Sequence, residues 1–375
     1  MGEGQHFPLL IMKDEMFKSM EKTMTEDKPK NKDSFYFSTG NTLLDLVVGG
    51  GNKIGYGMGY EAGTIVRDWG NTSSSKTFKL CEAISANYHK YKDRFKWVYD
   101  DTEFGNKFDS QKLYGFDIIP PDPEKQTHSL TVEEWANKVY EFLDSLKGDD
   151  IGFYGLDSLD GLSSEDMEER KEERYKAFKK GKEFNAGTYG MQQAKFLSQE
   201  FFRGLASDLT KKNALLYVIS QERDNVGATP YQAKNKLGGG RAITFYETCR
   251  ILSKKRQLIE ADDLATGVII ETIAEKTRHP RPFRRCMIPI YFEYGIDDIG
   301  SNVDFLFDLR TPTGELKKVK DIQWEEGSPG FTRDAMITFI EEEHLQKELK
   351  QRVIDKWEER EDKVKINRPS KYEDD

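Results

Sequence analysis

Four short runs set the frame of this chain: Thr64–Trp69, Lys96–Asp100, Ile151–Leu156 and Ala214–Ser220. The last two are near-continuous apolar runs with helix-patterned segments before or between them, which predicts buried parallel strands. Phe78–His89 predicts a helix soon after the first run. Beyond Ala242 the pattern lengthens to Thr248–Gln257, Gly267–Lys276 and Arg284–Tyr294, as expected of an antiparallel extension of the sheet. The expected fold class is therefore α/β: a mostly parallel central sheet with an antiparallel extension and helices on both faces, over residues 38–312. Residues 1–37 read as an arm, with an apolar patch at Phe7–Met12, helical spacing over Asp14–Met24 and a charged linker, Thr25–Asp33. An exposed apolar patch of this kind docks on something, either its own core or a neighbouring copy of the chain. Residues 313–366 predict a small α+β unit ending in a charged helix, Glu341–Arg360, and 367–375 a disordered polar tail. The charged stretch Glu165–Glu183 predicts a solvated helix.

Composition narrows the function classes. Charged residues make up 33% of the 375 and mean hydropathy is −0.74, as in a soluble, strongly solvated protein. The longest apolar runs are far too short to span a bilayer, so no membrane partner is expected. No basic segment precedes an apolar one at the start, and the expected location is cytoplasmic. Cys81, Cys249 and Cys286 have no metal-binding spacing and read as reduced, buried thiols. Net charge of −9 argues against indiscriminate polyanion binding. Its distribution is uneven: Lys234–Arg256 holds seven Lys or Arg against one acid, and Lys276–Arg285 five against none. Such a local basic patch can bind phosphates on an acidic chain, and can equally be a solvated strand edge.

The chemistry concentrates at Thr64–Thr77, where a strand enters a small polar loop followed by Lys-Thr and a helix. That order describes a phosphate-binding loop: a helix N-terminus offers unpaired N–H groups and a positive dipole end to an anion. Lys76 would reach the outer phosphates, and the Thr77 hydroxyl would ligate Mg²⁺. Ser75 stands where the usual form has Gly before the Lys. A nucleotide hydrolase also needs a carboxylate near the metal, a group to orient water and a γ-phosphate sensor. Asp157, Glu103 and Gln221 each follow or end a predicted strand, and ligands of parallel sheets sit at the strands' carboxyl ends.

In order and spacing these segments resemble RecA-type homologous recombinases, and more closely the UvsX-like recombinases of T-even-type phages. The resemblance rests on the loop above, on Tyr99-Asp-Asp-Thr-Glu-Phe-Gly105, on Gly238-Gly-Gly-Arg-Ala-Ile-Thr-Phe-Tyr246, and on Glu275–Phe283 followed by a strand and Tyr294–Asp297. It covers roughly residues 38–310 and implies the following roles. Gly70, Asn71, Thr72, Ser73, Ser74, Ser75, Lys76 and Thr77 would hold ATP, with Thr77 and Asp157 supporting Mg²⁺. Glu103 would polarise the attacking water, and Gln221 would sense the γ-phosphate. Lys276 and Arg278 would enter the site of a neighbouring subunit, and Phe245 would pack across that interface. DNA-binding loops would lie within 184–193 and 222–240, with Arg223, Lys234, Lys236, Gly238, Gly239, Gly240 and Arg241 contacting DNA. Ser110 aligns where RecA stacks a Tyr on adenine, so Phe108 or another residue would substitute, and 165–183 has no clear counterpart.

The expected function is that of a Mg²⁺- and DNA-dependent ATPase that polymerises head to tail on single-stranded DNA and promotes pairing with homologous double-stranded DNA, in the host cytoplasm if phage-encoded. A loading or mediator protein and a single-strand-binding protein would be further partners. Two other readings stay open at this point: a RecA-fold scaffold or regulator with little or no turnover, and a ring-forming helicase-like motor.

Overall fold

A computed structural model describes residues 35–107, 109–182, 195–224, 235–237, 242–319 and 321–368. The arm (1–34), Phe108, the first expected DNA loop (184–193), and Lys234, Gly238, Gly239, Gly240 and Arg241 lie outside the described residues, as does the tail beyond 368. A two-stranded ribbon pairs β1 (Tyr36–Phe37) with β2 (Tyr60–Glu61). The main sheet has nine strands. Its parallel part takes the order β8 (Cys249–Ala261), β3 (Thr64–Gly70), β6 (Ala214–Asp224), β5 (Ile151–Asp157), β4 (Phe95–Asp101). β9 (Leu264–Lys276), β10 (Arg285–Tyr291) and β11 (Gly295–Ile296) add antiparallel to β8, and β7 (Asn235–Leu237) pairs antiparallel with β6.

Alternation along the central strands explains why helices cover both faces. Ile151 and Phe153 of β5, and Leu215, Tyr217 and Ile219 of β6, point into one buried cluster. Tyr154 and Leu156, with Leu216 and Val218, point into the other. The first cluster takes in α1 (Thr42–Gly49) and α2 (Lys76–Tyr91); the second takes in α4 (Val132–Ser145) and α6 (Phe202–Lys211). A strand buried on both faces needs apolar residues at every position, which is the pattern seen in the sequence. Between them in the chain come α3 (Ser110–Tyr114) and α5 (Glu165–Lys179), the latter on the stretch where a charged helix is expected. The short helix α7 (Ala242–Tyr246) precedes β8, and α8 (Asp298–Leu306) follows β11.

The C-terminal part departs from the sequence expectation in one respect. A single helix over Glu341–Arg360 is replaced by two, α9 (Arg333–Glu342) and α10 (Gln346–Lys363). The break comes where His344 takes a left-handed backbone (φ 57°) and Leu345 N–H turns back to Ile340 O at 2.9 Å. Met336, Ile340, Leu349, Val353 and Trp357 of these helices join the same buried cluster as Leu44 and Ile288, so the segment packs onto one sheet layer. Among the described residues, no helix is long and apolar enough to cross a membrane.

Between α10 and the segment after β9 lies a buried polar joint. Arg281 reaches Glu358 (3.1 Å) and Gly50 O (3.2 Å), and Arg284 makes a bidentate pair with Glu361 (2.6 and 2.8 Å). His279, only 4% exposed, donates from Nε2 to Val47 O and accepts the Arg281 N–H at Nδ1. Burial pushes it down to about 4, and Arg281 and Arg284 push the same way. A proton on Nδ1 would face an N–H donor, so the folded chain keeps this ring neutral. Because the unfolded ring titrates near 6.5, the stability tied to His279 is present above that pH and is lost as pH falls toward about 4. The full loss amounts to about 3 kcal/mol. Urea midpoints between pH 7.5 and 5 should therefore fall more steeply for the wild type than for His279→Gln. Parallel curves would show that the ring is not held neutral.

Candidate active site

The loop between β3 and α2 is shaped by its backbone. Gly70 has φ +154°, and a Cβ there would meet Ser253 O of β8 at 2.1 Å, so the close neighbouring strand demands glycine. Ser73 and Ser75 both adopt left-handed conformations, at φ 62° and 55°. At Ser75 this shows what a glycine would do: it would remove the cost of a left-handed L-residue, about 1–2 kcal/mol. Ser74 Oγ donates to Asn71 O at 2.7 Å and braces the turn. Lys76 Nζ curls into it, donating to Gly70 O (3.1 Å), Asn71 O (2.9 Å) and Ser74 Oγ (3.1 Å). Burial lowers the pKa of this ammonium, so a negative ligand would relieve a standing cost. The Ser75 side chain makes no capping hydrogen bond at the N-terminus of α2, whose positive dipole end faces the loop.

The strand ends then bring the acids together. Gly70 is in register with Gln221, and Asp101 with Asp157. Asp157 Oδ2 accepts from Thr77 Oγ1 (2.6 Å) and from Tyr99 OH (2.8 Å). Burial raises the Asp157 pKa; the two hydroxyls oppose this, and Glu103 and Asp101 reinforce it. Glu103 Oε1 accepts from Ser158 Oγ (2.5 Å) and Gln221 Nε2 (2.9 Å). The backbone N–H of Gln221 donates to Asp160 Oδ2 at 2.6 Å. Asp101 takes the N–H groups of Gly105 and Asn106, which pins the turn that carries Glu103. Beside it Phe104, 58% exposed, stacks on His128 with ring centroids 4.5 Å apart and offers a flat aromatic face.

Thr77 and Asp157 present hard oxygen donors that suit Mg²⁺. Among the described residues, no group of three or more His, Cys, Asp or Glu could hold a metal. Magnesium sites of this kind use one or two carboxylates and take the remaining ligands from phosphates and water, so the donor set fits.

Sequence reasoning missed the polar core under the loop. Asp68 of β3 is fully buried and pairs with Lys79 of α2 at 2.6 Å. Ser253 Oγ and Tyr217 OH donate to it at 2.6 and 2.7 Å, and Lys79 also bonds Ser253. The available signal was the charged pair Arg67-Asp68 inside the first predicted strand, Thr64–Trp69. A second chain of contacts leads from the loop strand to the end of β9. Trp69 Nε1 donates to Glu275 Oε2 (3.0 Å), Arg250 bonds both Glu275 and Glu247, and Arg67 lies 3.7 Å from Glu247.

The remaining candidates are placed differently. Lys276 Nζ donates to Thr244 O (3.1 Å), and Arg278 lies 3.9 Å from Glu61, so their partners in this chain are not residues of the phosphate loop. Phe245 is 78% exposed on α7. Arg223 and Lys236 are register partners on β6 and β7, which form the stem of the second expected loop. Ser110, by contrast, is buried and accepts the Ile118 N–H, which leaves no platform for a base there. Five arginines of the two basic runs have acidic partners within the chain, whereas Lys254 and Lys255 are exposed. Arg256 and Arg285 pair with Glu271, Arg250 with Glu247 and Glu275, and Arg281 and Arg284 with Glu358 and Glu361.

The RecA N-terminal domain family matches residues 181–297, a range that includes Gln221, Lys276 and Arg278 but not the phosphate loop or Glu103. Protein RecA of Malacoplasma penetrans is 25% identical over 296 residues, 78% of this chain and 80% of that protein. Protein RecA of Mesoplasma florum is 24% identical over 282 residues, 74% of each chain. Protein RecA of Thermus thermophilus is 34% identical over a shorter stretch of 113 residues, 30% of this chain and 33% of that protein.

Proposed function

We propose that this chain, a RecA homologue at modest identity carrying a RecA-like domain, is a DNA-dependent ATPase that assembles head to tail on single-stranded DNA and promotes homologous pairing and strand exchange. Within the family we assign it to the UvsX-like phage type. The observation that carries the reading is the connected set Thr77–Asp157 and Ser158–Glu103–Gln221, on the strand ends beside the N-terminus of α2.

When ATP binds, Lys76 exchanges the carbonyls of Gly70 and Asn71 for phosphate oxygens, and the N–H groups of α2 turn to the same anion. Thr77 and Asp157 would hold Mg²⁺, which supplies neutralisation of charge on the phosphate oxygens. Glu103 accepts a hydrogen bond from the attacking water and orients it. Gln221 shares an oxygen of Glu103 and sits on the strand that runs out to the second DNA loop. A change at the γ-phosphate thus reaches the DNA side, and by linkage DNA reaches the nucleotide. Lys276 and Arg278 act on the nucleotide of the adjoining subunit, with Phe245 in the joint and the arm ahead of β1 docking on the next core; Tyr36 and Phe37, assigned to the arm on sequence, belong to this chain's own ribbon and core. Head-to-tail contacts of this type build an open helix. A mediator and a single-strand-binding protein complete the set of partners, in the cytoplasm of the host cell.

The test is steady-state ATP hydrolysis with and without poly(dT), with the same samples viewed by negative-stain microscopy. Strong stimulation together with helical filaments is expected, and Lys276→Ala/Arg278→Ala should lose most of the stimulated rate. Closed rings would instead indicate a helicase-like motor. Filaments without turnover would indicate a scaffold, with the left-handed Ser75 as the first suspect. A double variant as active as the wild type would refute the shared site.

A further inference from the structure

Helix α5 has no part in the site described above, and its chemistry is uneven along its length. None of its residues is buried. Its base is tied to the start of α4: Ser163 N–H donates to Leu130 O at 2.9 Å, and Glu165 N–H to Glu133 Oε2 at 3.2 Å. From that anchor, past the carboxyl end of β5, about 22 Å of helix extends into solvent. Residues 165–172 carry five acids and two bases; residues 173–182 carry one acid and five bases. Acids first and bases last suit the helix dipole, and a solvated helix needs nothing beyond that.

The aromatic residues are left over by that account. Tyr175 is 58% and Phe178 79% exposed, and both lie in the basic half. They are three apart, hence on neighbouring positions of one helix side. The Lys179 ammonium stands 4.5 Å from the Tyr175 ring centroid. A face meant for a protein partner would be apolar at its centre and poor in lysine. Here single rings stand among lysines. Rings stack on bases without regard to sequence, and ammonium groups neutralise the phosphates between them.

We propose that the outer end of α5, formed by Tyr175, Lys176, Phe178, Lys179, Lys180 and Lys182, is an additional binding surface for single-stranded DNA. The inference rests on the DNA-binding reading above and adds a contact outside the two expected loops. The chain runs directly from this end into 184–193, where the first of those loops is expected. The rings and charges of the helix end thus adjoin, in sequence, the segment expected to take the strand.

The test titrates full-length protein against fluorescein-labelled oligo(dT), and against a duplex of equal length, by anisotropy at several salt concentrations. Lys176→Glu/Lys179→Glu/Lys180→Glu should weaken binding about tenfold or more and lower the salt slope by about 2, as loss of three single-strand phosphate contacts requires. Tyr175→Ala/Phe178→Ala should weaken oligo(dT) binding about tenfold, leaving the salt slope and duplex binding unchanged. No buried side chain is altered, and circular dichroism checks that the helix persists. Wild-type affinity and slope in both variants would overturn the inference while leaving DNA binding itself intact. A wild-type protein that binds neither DNA at any salt would bring down the DNA-binding reading first, and this one with it. Normal oligo(dT) binding with smaller assemblies in sedimentation would mean that α5 docks a second copy of the chain, which also overturns it.

Discussion

Replacing Glu103 with Gln should lower kcat for ATP by at least about 100-fold while leaving nucleotide binding within a few-fold of wild type. The substitution is nearly isosteric. Its remaining oxygen can still accept from Ser158 Oγ and Gln221 Nε2, the two donors that hold Glu103 in place. What disappears is the second carboxylate oxygen, the one not committed to Oε1's partners, together with the negative charge that draws a proton from water. Asp157 and Thr77, which would hold Mg²⁺ in the proposed mechanism, are untouched, and so is the loop around Lys76. Binding of a fluorescent ATP analogue should therefore survive, and filaments on poly(dT) should persist longer than those of the wild type. Ordinary turnover in this variant would remove Glu103 from the reaction and leave Asp101 or Asp160 to be considered. Loss of binding together with turnover would mean that the substitution had broken the Ser158–Glu103–Gln221 link, and rescue by Asp at 103 would be the next comparison.

Much of this arrangement was legible in the sequence because strand ends are legible. Apolar runs bounded by polar residues mark where a parallel strand stops, and in such a sheet the stops share one edge. Glu103, Asp157, Gln221 and the loop after Trp69 were brought together on that argument; the structure hydrogen-bonds Gln221 to Glu103, and Asp157 to Thr77 at the start of the helix after the loop. The α/β class and the antiparallel extension followed from the change in run length near Ala242. Ser75 was only half legible. Its type was visible as a departure from Gly, but the left-handed φ that makes the departure costly belongs to the folded loop. The basic runs stayed open between a phosphate-binding patch and a solvated strand edge because charge counts are blind to partners. Glu271 neutralises Arg256 and Arg285 from β9, and Glu358 and Glu361 come from α10, some 77 residues beyond their arginines. The break at His344 was hidden for a different reason: charged residues resume soon after it, at Lys347 and Glu348, and a single left-handed residue leaves no mark on periodicity.

Lys79→Met should destabilise the folded chain by about 3–5 kcal/mol, the cost of leaving a buried charge without its partner. Asp68 is fully buried, with Ser253 and Tyr217 donating to it. Those two hydroxyls satisfy hydrogen bonds but supply no countercharge, so the carboxylate left behind is a buried charge without a charged partner. Lys79→Met/Asp68→Leu removes both charges and should recover part of the loss, the remainder reflecting the Ser253 and Tyr217 hydroxyls that lose Asp68 as acceptor. Urea unfolding of the four proteins of this cycle measures the coupling, which should exceed about 2 kcal/mol for groups in direct contact. A Lys79→Met variant within about 1 kcal/mol of wild type would mean that water reaches Asp68. The pair also bears on the chemistry. Asp68 lies on β3 two residues before Gly70, and Lys79 lies on the first turn of α2, so the ion pair clasps both ends of the phosphate loop. The double variant separates the two roles: if its stability returns but its ATP affinity does not, the buried pair exists to hold that loop in shape.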